Sequence, residues 1–197
     1  MKRIIALLVI GGTLLFVGTA LCGEHPLYTQ AKSETDVQKA IDLYWRFFKE
    51  ADKDPSFSDA AGDFARLLAK HDRFADIVSF GDYLMHLAPA PAGAMNTMAY
   101  ALAEADTALD KALNYSYAAA GAQRLARQLP PPPEKSPKAW QERQDYIFGL
   151  YLDTQGYIFL KQGESQKALN VFLQADSMAD DAEIKLHLGQ AYLATGK

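Results

Sequence analysis

Along most of the chain, apolar residues recur three and four positions apart, the period of a helix with one buried face. Val37, Ala40, Ile41, Tyr44, Trp45 and Phe48 share one such face. The same spacing returns from Ser58, with Phe64, Ala65 and Leu68 and then Ile77, Gly81 and Leu84. It returns again in Met98, Ala99 and Leu102, and in Leu109, Ala112, Leu113, Ser116 and Ala119. A last stripe runs through Trp140, Ile147, Tyr151, Thr154 and Ile158. Breaks separate these stripes at 51–55, at Pro89 and at LPPPPEKSPK, residues 129–138. Four successive prolines cannot be helical and favour an extended rod. This stretch reads as a spacer, with a proline-recognition motif as the other reading.

Ser136-Pro137 is a helix start, a capping hydroxyl followed by proline at the first helical position. The helix from Pro137 then spans about 25 residues, roughly 37 Å. Its extra turns, with Trp140, either protrude or pack on the preceding helix. At the other end, residues 24–32 have no period and contain His25-Pro26, which predicts a tether. Ser33 or Thr35 is the expected cap of the helix after it. Alanine, leucine, glutamine and lysine are frequent, and β-branched residues are few after residue 24, so the expected fold class is all-α.

The end of the chain repeats itself. In DTQGYIFLKQGESQKALNVFLQADSMADDAEIKLHLGQAYLATGK, residues 153–197, Gly189 follows Gly156 by 33 positions. Each glycine is followed by an aromatic (Phe159, Tyr192), a leucine (Leu160, Leu193) and a glycine that ends the helix (Gly163, Gly196). Gly156 and Ala168 are small where two helices must cross closely, and Phe159, Phe172 and Ala175 complete the pattern. A period of about 34 residues in paired helices resembles the tetratricopeptide repeat. The resemblance implies an α-solenoid of stacked helical hairpins. Its units are a tether and capping helix (24–57), a degenerate repeat (58–91) and a repeat with a turn one residue longer than standard (92–128). After the spacer come a repeat with an extended first helix (139–181) and a terminal half repeat (182–197). The usual proline near a repeat's end is absent from the unit ending at 181.

Residues 1–23 carry a different message. Lys2 and Arg3 precede an uncharged run from Ile4 to Gly23, and Glu24 ends it. This has the form of a secretory signal peptide, with cleavage after Ala20, Cys22 or Gly23. An uncleaved anchor through residues 4–23 is the rival, since about 20 apolar residues span a bilayer. Cys22 stands where a lipidated cysteine would, but Leu21 before it is not the small residue such a signal wants. With one cysteine, no intramolecular disulfide forms. The expected location is the bacterial periplasm, or the inner membrane facing it.

Charge and motifs narrow the function. The formal net charge is −4, and losing Lys2 and Arg3 makes it −6, which argues against a basic nucleic-acid surface. No phosphate loop, Gly-x-Ser-x-Gly or His-Glu-x-x-His occurs. His25, His71, His86 and His187 lack metal-ligand spacing. The acid pairs Asp106/Asp110 and Asp180/Asp181 fit turns and helix starts. Neither enzyme activity nor a cofactor or metal is expected.

In the tetratricopeptide family the inner groove is lined by the first helix of each hairpin. The resemblance therefore implies Asn96, Tyr100 and Glu104, then Asp153, Tyr157 and Lys161, then Glu183, His187 and Gln190 as partner-contacting positions. The Lys/Asn set that clamps a terminal carboxylate in some relatives is not present. The expectation is a non-catalytic interaction or assembly module of the cell envelope that binds a peptide or partner helix. The alternative is a membrane-anchored accessory subunit of an envelope enzyme, secretion or exopolysaccharide complex.

Overall fold

A computed structural model describes residues 24–87 and 89–196. The signal-peptide, anchor and Cys22 expectations lie outside the described residues. Those residues are all-helical, with nine helices and no strand: α1 (Pro26–Ser33), α2 (Val37–Glu50), α3 (Phe57–Lys70), α4 (Phe74–Met85), α5 (Ala92–Glu104), α6 (Leu109–Ala126), α7 (Pro137–Lys161), α8 (Ser165–Met178) and α9 (Ala182–Thr195). None of them is long and apolar enough to cross a membrane. Each helix packs on the next, and α3, α5, α7 and α9 also contact one another in succession.

The tether expected at 24–32 is instead α1. Leu27, Tyr28 and Ala31 are buried, and the Tyr28 hydroxyl donates to Asp63 of α3 at 2.5 Å. Two turns hold few apolar residues, so packing on α2 stabilises this helix more than its own propensity does. The cap of α2 is Asp36, whose carboxylate accepts from the Lys39 N–H at 3.0 Å, not Ser33 or Thr35. Ser136 likewise makes no side-chain capping bond, so Pro137 alone marks the start of α7.

Three of the turns close identically. Arg73 N–H bonds Leu68 O, Thr107 N–H bonds Leu102 O and Glu164 N–H bonds Phe159 O, at 2.9, 3.0 and 2.8 Å. The residue before each donor has positive φ: Asp72 at 52°, Asp106 at 50° and Gly163 at 77°. This is the Schellman closure, which needs a left-handed residue just past the helix. Asp72 and Asp106 stand 34 positions apart. The turn between α5 and α6 has one residue more than the other two, as its sequence predicts.

The core starts in an aromatic cluster. Tyr44 and Phe48 of α2 are buried against Phe64 of α3, and Phe48 and Phe64 each lie under 6 Å from Phe80 of α4 (4.8 and 4.7 Å). Such pairs contribute about 0.5–1.5 kcal/mol beyond their area. At the other end, Phe159, Ala168, Leu169, Phe172 and Ala191 join α7, α8 and α9. The extended part of α7 packs on α6 from Gln144 onward, while residues 137–143 are exposed apart from half-buried Trp140. Gln123 of α6 donates its buried amide to Gln144 Oε1 at 2.8 Å, Arg127 donates to Asp145 at 2.7 Å, and the Arg127 guanidinium lies 4.7 Å from the Phe148 ring centre.

Candidate functional site

A depression of about 650 Å³ lies where α5, α7 and α9 come together, with the turn before α4 at its edge. This volume is in the range of ligand and peptide pockets. Asn96, Tyr100 and Glu104 recur every four residues along one face of α5 and reach it together. Asp153 and Thr154 enter from α7, and Glu183 from the first turn of α9.

Hydrogen bonds tie the three helices across the groove. The Tyr100 hydroxyl donates to Glu183 Oε1 at 2.7 Å, and the Tyr157 hydroxyl donates to Glu104 Oε1 at 3.0 Å. The Tyr157 ring stacks between Tyr100, 5.7 Å away, and His187, 4.7 Å away. Lys161 holds its ammonium 5.3 Å from the same ring centre. Burial raises the pKa of both tyrosines, and the accepting glutamates raise them further, so both phenols stay protonated donors.

Beneath them lies a buried pair. His187 Nδ1 is 3.0 Å from both Asp153 carboxylate oxygens, and each residue is 5% exposed. Burial would lower the His187 pKa, but the bond to Asp153 and the charges of Asp153, Glu183 and Glu104 outweigh it and hold the imidazole above its ordinary value. Burial raises Asp153 despite that bond. The pair forms a salt bridge in the groove wall when the imidazole is protonated.

Of the nine positions predicted from sequence, Asn96, Tyr100, Glu104, Asp153 and Glu183 line the groove. Tyr157 and His187 form its wall. Lys161 is exposed beyond Tyr157, and Gln190 is exposed farther along α9, away from the groove lining. Sequence reasoning missed Asp72, Phe74, Thr97 and Thr154, which also line it. Asp72 is held there by its left-handed turn, and the regular spacing of Asp72 and Asp106 was the available signal. Among the described residues no three His, Cys, Asp or Glu side chains converge as metal ligands would. Asp181, from the acid pair at 180–181, caps α9 through the Glu183 N–H at 2.9 Å and accepts from the Tyr146 hydroxyl at 2.9 Å.

No protein-family model, curated protein or solved structure matches this chain.

Proposed function

We propose that this chain is a tetratricopeptide-like helical repeat that binds a segment of another protein in the groove between α5, α7 and α9, without catalysing a reaction. The observation that carries the reading is the convergence of Asn96, Tyr100, Glu104, Asp153 and Glu183, from three helices separate in sequence, on one open depression. The repeated Schellman turns and the successive contacts of α3, α5, α7 and α9 support a solenoid arrangement. A rigid wall of stacked rings flanking free polar groups suits recognition of a peptide by hydrogen bonds and an aromatic anchor. The basic start and uncharged run before Glu24 support action in the bacterial envelope, free in the periplasm or tethered to the inner membrane.

The test compares proteins captured from envelope extract by the tagged wild-type chain, by Tyr100→Ala and by Tyr117→Ala. Tyr117 is 51% exposed on α6 and does not line the groove. The reading expects a captured protein that is retained by Tyr117→Ala and lost by Tyr100→Ala, with the variants' melting curves showing both folded. Identical captures from all three would refute the groove as the binding site.

A further inference from the structure

We infer that the groove takes a positively charged, extended segment, with an arginine or lysine seated among Asn96, Glu104 and Glu183. This rests on the groove reading above and adds the charge of its occupant. The lining includes four carboxylates, Asp72, Glu104, Asp153 and Glu183, and no lysine or arginine. Asp153 is matched by His187. The other three have no ion-pair partner among the described residues.

The hydrogen bonds to Glu104 and Glu183 do not change this. They come from neutral phenols, which bring no positive charge, and each uses only one of the two carboxylate oxygens. Asn96 adds a buried amide oxygen that meets no donor. The groove thus presents negative charge and unmet acceptors, and a partner must present positive charge and donors. An uncharged or acidic segment would cover these carboxylates without pairing them. Lysine and arginine side chains supply both needs, and a guanidinium can also stack on Tyr100.

An extended shape follows from the neighbouring surface. A second depression of about 410 Å³ shares Asn96 and Thr97 with the groove and continues to Asp59 and Arg66 on α3, where Arg66 is already paired with Asp63. Together the two form a track across α9, α7, α5 and α3 that is longer than a single side chain needs.

The experiment is a fluorescence-anisotropy titration of the full chain, purified as the cell accumulates it. The probes are labelled peptides of repeating Gly-Ser-Arg and the same peptides with Gln or Glu in place of Arg. The Arg peptide should bind at least about tenfold tighter than the Gln peptide, and the Glu peptide should not bind. Glu104→Gln/Glu183→Gln keeps acceptors for both tyrosines and should weaken the Arg peptide about tenfold. Asp42→Asn/Glu50→Gln makes the same charge change on α2 and should leave affinity within about twofold. Equal binding of Arg and Gln peptides, or equal weakening by both double variants, overturns the inference. If the Gln peptide binds as well and Tyr100→Ala abolishes it, the groove reading stands and the cationic occupant falls. If no peptide's binding depends on Tyr100, both fall.

Discussion

Replacing Gly156 by leucine tests the packing of α7 on α8, because the room for a side chain there is already filled. A Cβ on Gly156 would sit 2.7, 2.8 and 3.0 Å from Cε1, Cδ1 and Cζ of Phe172, closer than such atoms approach in real structures. Phe172 cannot swing away. It is fully buried, and its ring lies 5.7 Å from that of His187. Overpacking costs about 1–3 kcal/mol, and the three further carbons of leucine put the variant at the upper end. Relief of glycine's poor helix propensity returns about 0.8 kcal/mol. The net loss is about 2 kcal/mol, a fall in Tm of roughly 4–8 °C for a chain of this size. The equivalent glycine of α9 makes the control. A Cβ on Gly189 meets nothing within 4 Å, so Gly189→Ala should gain about 0.5–1 kcal/mol. Thermal melts followed by far-UV circular dichroism would read both. A Gly156→Leu variant that melts with or above the wild type refutes the packing argument, as does a shift of the same sign in both.

Two other perturbations have a definite sign. Because His187 is held above its ordinary pKa, the folded chain keeps a proton that the unfolded chain loses. That stabilisation is complete below about pH 6.5 and disappears as pH rises through the folded value. Asp153, also raised, adds a loss of the same sign that begins nearer to about pH 4. Urea unfolding of the wild type should therefore show stability falling as pH rises from about 6.5, and His187→Gln should flatten that fall; a wild-type stability that rises there contradicts the assignment. Gln144→Leu should cost about 1–3 kcal/mol by leaving the Gln123 amide buried without its side-chain acceptor, and adding Gln123→Leu should restore part of it in chemical denaturation.

The all-helical class was legible because apolar residues recur at helical spacing through every long element. The close crossing at Gly156 was legible too, since a glycine in mid-helix is costly unless something fills its place. α1 was not, because two turns opening at a proline carry too few apolar positions to show a period, and its stability comes from α2 and Asp63. Whether the extra turns of α7 pack or protrude was left open by sequence, since the answer rests on pairs such as Gln123–Gln144, invisible until the helices meet. The groove shows the same division. The repeat resemblance implied Asn96, Tyr100 and Glu104 as one lining set, but not the bond from Tyr100 to Glu183, 83 positions away. It could not tell that Asp153 and His187, expected as partner-contacting positions, are buried and satisfy each other in the wall. Asp72 escaped because a lone acidic turn residue carries no apolar period, and its left-handed backbone shows only in the fold.

The claim that a partner protein occupies the groove is tested most directly by photo-crosslinking in living cells. A photoreactive amino acid at Thr97 or Ala101, both lining the groove, would be compared with one at Tyr117 on α6. Crosslinks to one partner from both groove positions, and none to it from Tyr117, are the predicted result. The same adduct from all three positions, or from Tyr117 alone, would contradict the account.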